Sequence, residues 1–376
     1  MTTLHNPFIT IGYAGPDLFC DREEETKSIL RNVVNNTTPV TLTSIRRIGK
    51  TGLIRHVLTK LPRNYTGIYL DIQSAENLND FMNILVTAMI QAVPEKSKPG
   101  KLIWNFIKSF RPTITFDQIT GSPQITIDSK LRKAEPDIEV ILNFLESQPF
   151  RVVIAIDEFQ QILRFPEKQT DAWLRSKIQR LNNLTFIFAG SQQQLMGELF
   201  SSPSRPFYRS TSLMRITKIN AGNYRTFIVS LFGKGNRKIS GEIADQILEW
   251  ADCVTYYVQL LCNRVYSTGE KEVTTSLWQS EAGLLIKEAE PVFFSYRELL
   301  THPQWMLLKA LAAEKKVNSP TSREFMTKYQ LNGSATVLQS LKALVTKELV
   351  YKDYDLDGQA FHSVNDLLFK HWVCNQ

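Results

Sequence analysis

A short β-branched run, Val40–Thr43, passes straight into Ser44-Ile45-Arg46-Arg47-Ile48-Gly49-Lys50-Thr51, and a helical pattern opens near Gly52. No other feature restricts the fold as much. A loop between a strand and a helix leaves backbone N–H groups unpaired at the helix N-terminus, and here it sets an ammonium and a hydroxyl beside them. Such a nest fits a polyphosphate, with the amides and Lys50 on the β and γ oxygens and the Thr51 hydroxyl on Mg²⁺. The pattern GxxxxGK followed by Ser or Thr has Ser44 where its first glycine stands. Serine is small, and the loop closes around it if its torsions are allowed.

A nest of this kind belongs at the carboxyl edge of a parallel sheet, and the first half of the chain supplies one. Strand candidates fall at 40–43, 67–71, 152–156, 184–189 and 213–219, with helical patterns between them. The third of these runs, Arg151 to Ile156, is apolar after its first residue and delivers Asp157-Glu158 at its end. Two carboxylates capping a buried strand are costly unless they have work to do. Asp157 is the candidate to hold Mg²⁺ with Thr51, and Glu158 to orient and deprotonate a water attacking the γ-phosphate of ATP. The 184–189 strand ends in Gly190-Ser191-Gln192, where Ser191 and Gln192 either sense the γ-phosphate and position water or simply cap the next helix.

At 376 residues the chain is long enough for two or three domains. A hydrophobic fraction of 43% and a charged fraction of 22% exclude a disordered or collagen-like chain. Cys20, Cys253, Cys262 and Cys374 form no CxxC pair, which argues against a zinc ribbon or disulfide framework and for a reducing, cytoplasmic setting. No apolar run reaches the ~18 residues of a membrane span, and residues 1–13 lack a secretory pattern. A net charge of +7 raises the question of nucleic acid, but residues 301–376 hold 9 Lys and Arg against 7 Asp and Glu, so the surplus reads as spread along the chain.

Between the second and third strands, roughly residues 95–135, lies an insertion with a hairpin pattern, arms at 113–117 and 124–128 and a turn at Thr120-Gly121-Ser122-Pro123. From 220 onward the pattern is helical, including 242–250 and 256–265, then 304–313, 321–329, Ser334–Thr346 and two short strands around Asp355-Leu356-Asp357-Gly358. The expected organisation is therefore an ATPase domain at 1–219, a helical lid at 220–300 and a winged helix at 301–376. In the winged helix, Thr336, Gln339, Ser340 and Lys342 are candidates for base or phosphate contact, and Leu338, Leu341, Leu344 and Val345 for core. Packing of that helix within the protein is the equal alternative.

Together these segments resemble the archaeal-type ATPase family, in the STAND branch of AAA+-like P-loop NTPases. The resemblance covers nearly the whole chain. It rests on Phe19-Cys20-Asp21-Arg22-Glu23-Glu24-Glu25, similar to the family's FxGRExE motif, on Arg46-Arg47, and on Ile156-Asp157-Glu158-Phe159-Gln160. Gly190-Ser191 and Pro206-Phe207-Tyr208-Arg209 extend it. The resemblance implies that Phe19 and Arg22 lie against the adenine, that residues 44–52 (Ser44, Ile45, Arg46, Arg47, Ile48, Gly49, Lys50, Thr51 and Gly52) cradle the nucleotide, and that Arg209 reaches the γ-phosphate. Two positions depart from the family pattern. Asp21 replaces a preferred glycine, and Cys253-Val254-Thr255-Tyr256-Tyr257-Val258-Gln259 stands where the lid motif GxPxxxQ is common.

The expected activity is Mg-ATP binding and hydrolysis driving a conformational switch, with ATP and ADP as ligands, Lys50 and Glu158 as the principal catalytic groups and Ser191 and Arg209 as assistants. The competing readings are an ATP-gated DNA-binding regulator or loader, and a P-loop scaffold that binds nucleotide without turnover. DNA or a protein is the candidate partner of the winged helix; oligomeric state is left open.

Overall fold

The computed structural model describes residues 6–94, 97–110, 112–116, 123–127, 134–355 and 357–375. The chain divides into two compact units, one of Ile11–Ile219 and one of Met1–Thr10 with Asn220–Gln376.

The first unit contains β1 (Val40–Thr43), β2 (Tyr65–Asp71), β3 (Thr113–Phe116), β4 (Pro123–Thr126), β5 (Arg151–Asp157), β6 (Leu184–Gly190) and β7 (Ser212–Arg215). Five of them form one parallel sheet in the order β2-β5-β6-β1-β7. All seven residues of β6 are buried, as its largely apolar sequence requires for a central strand covered on both faces. At the edge, β7 alternates half-buried and exposed residues and ends at Arg215, short of the 213–219 expectation. Ile216 and Ile219 are buried as irregular chain, which explains why their hydrophobicity read as strand.

Helix Leu78–Gln91 is started by Asn77, whose side chain accepts from the N–H groups of Asn79 and Asp80 at 2.9 and 3.0 Å. Its buried residues, among them Phe81, Met82, Leu85 and Met89, join the core with Ile68, Ile154 and Phe188 of the sheet. The β3–β4 hairpin lies along this helix. Ile125 N–H donates to Thr87 Oγ1 at 3.1 Å and Ile127 N–H to Asn83 Oδ1 at 3.0 Å. The hairpin's turn residues 120–122, with Asp117 and Asp128, lie outside the described residues.

The second unit carries helices Ala221–Lys234, Gly241–Trp250, Thr255–Ser267 and Thr275–Leu299, the last running on through Pro291. Then follow His302–Ala313, Arg323–Lys328, Ser334–Thr346, antiparallel β8 (Val350–Tyr354) and β9 (Ala360–Val364), and Leu367–Cys374. Helix, helix, helix, hairpin is a winged helix, here closed by a further helix that the sequence pattern did not separate. Phe293 of the long helix, Trp305, Leu344, Phe369 and Trp372 share one core. Two expectations on Ser334–Thr346 are corrected. Ser340 is buried at 5% and Leu338 is 57% exposed, because the inward face runs through Val337, Ser340, Leu341 and Leu344. Among the described residues no helix is long and apolar enough to cross a membrane.

Candidate active site

Because the sheet is parallel, β1, β2, β5 and β6 release their chains at the same edge. Thr43 is level with Gly190, and Asp71 with Asp157. The loop after β1 turns through Arg47 and Gly49, with φ of 68° and 93°, into helix Lys50–Thr59. Gly49 is needed there, since a left-handed residue at a helix start is strained for most side chains. Ser44 is buried, has no positive φ, and donates its hydroxyl to the Ile45 carbonyl at 2.9 Å. Replacing the family's glycine at this position therefore imposes no left-handed strain.

Lys50 and Thr51 meet the acids of β5 although β6 lies between the two strands. Thr51 Oγ1 donates to Asp157 Oδ2 at 2.6 Å. Lys50 Nζ stands 3.6 Å from Asp157 Oδ1 and 3.7 Å from Glu158 Oε1, with Lys50 7% and Asp157 2% exposed. At such burial the dielectric is low, and one ammonium must serve two carboxylates.

Glu158 sits at φ 55°, a left-handed turn into the 3-10 helix Phe159–Arg164. A non-glycine residue held there at a strand end is the kind of local strain that accompanies a working site. Its Oε2 accepts from Ser191 Oγ at 2.9 Å and from the Gln160 amide. Ser191 thus serves Glu158 rather than the following helix, whose N-cap is Gln192 without a side-chain cap. Gly190 makes room: a Cβ there would lie 2.3 Å from Gln160 Oε1.

Two residues of this site were not singled out in the sequence. Tyr69 donates its hydroxyl to Asp157 Oδ2 at 3.1 Å, and the Arg55 guanidinium covers its ring at 4.3 Å. Burial, then the nearby Asp157 and Asp71, push the Tyr69 phenol well above its usual range. Asp71, at the end of β2, has its carboxyl raised first by partial loss of solvent and then, against a backbone hydrogen bond from Gln73, by Asp157 and Glu158. The parallel register of β2 with β5, which is a property of the fold and not of the local sequence, brings both here.

Phe19 lies against the helix Lys50–Thr59, and Arg22 stands at the start of the helix Glu23–Leu30. Phe19 stacks on His56 at 4.3 Å with Tyr13 edge-on to both, and its ring comes within 3.6 Å of where a Cβ on Gly52 would be. Arg22 is buried; it donates to Glu25 at 2.7 Å and to the Thr217 carbonyl at 2.6 Å. Asp21 and Arg22 both adopt positive φ, 57° and 77°, which explains the family's preference for glycine in this turn. Arg209 is exposed with its guanidinium over the Tyr208 ring at 5.2 Å, and among the described residues no hydrogen bond or ion pair joins it to the Lys50 cluster. Ile45 and Arg46 are half-buried, Ile48 is buried and Arg47 is exposed.

The donor set fits a magnesium nucleotide. No group of three or more His, Cys, Asp or Glu side chains converges as a metal cage among the described residues. Magnesium does not need one, since it keeps several waters and takes one or two protein oxygens plus phosphate. Lys50 faces Asp157 and Glu158 with Asp71 nearby, and a divalent ion beside Thr51 and Asp157 would offset the crowded carboxylates.

Residues 19–261 match the family described as "ATPase domain predominantly from Archaea", and residues 291–375 match that of a "probable winged helix domain". No curated protein sequence matches. Among solved structures, the Walker-type ATPase PABY2304 of Pyrococcus abyssi aligns with TM-score 0.69 at 15% identity, over 98% of this chain and 99% of that one. The Aeropyrum pernix ORC2 protein, in its ADPNP–ADP complexes, aligns with TM-score 0.57 at 12% identity over 94% and 93%. The Aeropyrum pernix ORC1 protein in complex with DNA aligns with TM-score 0.50 at 13% identity over 95% and 93%. At these identities the likeness is one of fold.

Proposed function

The chain belongs to the family of ATPase domains found predominantly in Archaea, with a winged helix at its C-terminus, and from that premise we propose that it binds and hydrolyses Mg-ATP to drive a conformational switch. One observation carries the reading. A hydroxyl, an ammonium and two carboxylates from the ends of two strands that are not neighbours meet at 2.6–3.7 Å.

In this reading the N–H groups of residues 44–52 and the Lys50 ammonium hold the β- and γ-phosphates, and Thr51 and Asp157 hold magnesium. The ion supplies charge neutralisation on the phosphate oxygens. Ser191 and Gln160 occupy Glu158 Oε2, and Oε1, which faces Lys50 Nζ at 3.7 Å, takes the proton as a water attacks while Lys50 holds the phosphates. The new P–O bond forms to that water, the bond between the γ-phosphorus and the bridging oxygen breaks, and ADP leaves. Phe19, with Tyr13 and His56, offers the flat apolar surface for the base beside Gly52, and Arg22 holds the turn that positions Phe19. Arg209 has no part in the scheme.

Binding energy at the γ-phosphate would bias the conformation of the protein, the switch behaviour associated with STAND ATPases. The winged helix supports this reading over a DNA-reading role for that module. Its third helix exposes Leu338, Gln339 and a single lysine, Lys342, and its hairpin tip carries Asp355 and Asp357. Glu158→Gln tests the chemistry. ATP affinity should stay within about 3-fold while turnover falls at least ~100-fold, the scale of a lost general base; equal turnover in mutant and wild type would refute the assignment.

A further inference from the structure

The charge of +7 is not evenly distributed. Residues 96–134 hold eight Lys and Arg against two acids, Asp117 and Asp128, a local balance of +6. The reading of the surplus as spread along the chain does not survive that count.

Within this segment the helix Lys98–Lys108 contains no acidic residue, and Lys98, Lys101 and Lys108 are all exposed. At about 100° per residue the three fall within one arc, on the side opposite Ile103 and Ile107. None of them makes an ion pair among the described residues. From Lys98 to Lys108 the helix rises about 15 Å, the axial run of roughly four phosphates on one DNA strand.

We propose that this lysine face docks the sugar-phosphate backbone of duplex DNA, so that the ATPase unit itself, rather than the winged helix, supplies the nucleic-acid contact. Charge complementarity selects a polyanion. The apolar side of the helix is not free to enter a bilayer: Ile103 and Ile107 are fully buried, Phe106 stacks on Phe144 at 3.8 Å, and one outward leucine, Leu102 at 43% exposure, does not make a lipid-binding face. An amphipathic helix that binds lipid must instead leave its apolar side free to enter the acyl boundary. The proposal is independent of hydrolysis at Glu158, and a protein without turnover would leave it standing.

The test is fluorescence anisotropy with a labelled duplex between about 50 and 200 mM salt, using the full chain and the triple variant Lys98→Gln, Lys101→Gln, Lys108→Gln. If each lysine neutralises one phosphate, the logarithmic salt slope becomes shallower by about 2.7 in the triple variant. Over that roughly fourfold salt range the wild type then loses about 40-fold more affinity than the variant. The residues are exposed, so unchanged circular dichroism and melting are expected and are measured alongside. A Lys342→Gln, Lys352→Gln variant should keep the wild-type slope. The proposal is overturned by wild type that fails to bind duplex at the low-salt end, by an unchanged slope in the triple variant, or by loss of binding in the winged-helix variant alone. Tighter binding to an RNA hairpin or to anionic phospholipid vesicles than to the duplex overturns the choice of partner.

Discussion

Gly190→Ala is the sharpest probe of how Glu158 is held. An added Cβ would lie 2.3 Å from Gln160 Oε1, 2.5 Å from Met196 Sδ and 2.6 Å from Met196 Cγ, all far inside van der Waals contact. Gln160 is 2% exposed and Met196 fully buried, so neither can swing into solvent. Overpacking of this kind costs about 1–3 kcal/mol. For a unit of this size each kcal/mol lowers Tm by roughly 2–4 °C, giving an expected drop of about 2–12 °C. The same displacement removes the Gln160 amide from Glu158 and leaves Ser191 as the remaining donor to Oε2. A hydrogen bond to a charged group is worth about 1.5–3 kcal/mol, so turnover should fall about 10- to 160-fold, with ATP affinity within about 3-fold. Phosphate release, nucleotide titration and thermal melting on one preparation read all three. Wild-type turnover in the Gly190→Ala protein would mean that the Gln160 contact does not orient the base.

Tyr69→Phe removes one of two donors to Asp157 Oδ2 and leaves Thr51. The magnesium concentration for half-maximal turnover should rise about 3- to 10-fold, with ATP affinity in chelator unchanged, a separation that a general folding defect would not produce. The pH dependence of stability follows from three histidines. His56, His362 and His371 all have pKa values lowered chiefly by burial, and at His371 burial prevails over the Trp250 carbonyl, which accepts from Nε2–H at 2.8 Å and acts in the opposite direction. A proton then binds the unfolded chain more readily than the folded one. Stability is constant above the unfolded value of about 6.5 and falls as pH drops from there toward the folded values. Melting at about pH 7.5 and about pH 5.5 should show that decline, and His371→Gln should lessen it; a Tm independent of pH over this range would contradict the assignment.

The parts of the site carried by local chemistry were legible. Val40–Thr43 has the observed bounds of β1, and the apolar run ending at Asp157 is β5, because a buried parallel strand needs continuous hydrophobicity whatever its neighbours. What depends on the neighbours was not. Tyr69 reaches Asp157 only because β2 pairs beside β5 in register, and nothing within residues 65–71 encodes that pairing. In helix Ser334–Thr346 the apolar residues Val337, Leu338, Leu341, Leu344 and Val345 exceed what one face can bury, so periodicity left the helix's rotation undetermined by one position. The core formed with helix His302–Ala313 chose Val337 and buried Ser340. Arg22, which the resemblance implies lies against the adenine, has its guanidinium tied to a carbonyl 195 residues away in sequence, a partner that no local pattern announces. Charge density, by contrast, was present in the sequence and was missed because the local count was made over residues 301–376 and not over 96–134.

The most direct measurement is a calorimetric titration of ATP into wild type and Asp157→Asn, each with magnesium and with chelator. If Thr51 and Asp157 hold the metal beside a Lys50-bound triphosphate, wild type binds ATP more tightly with magnesium, and that gain largely disappears in Asp157→Asn while binding in chelator persists. Wild type that binds no ATP, or an Asp157→Asn protein that keeps the full magnesium gain, would contradict the account.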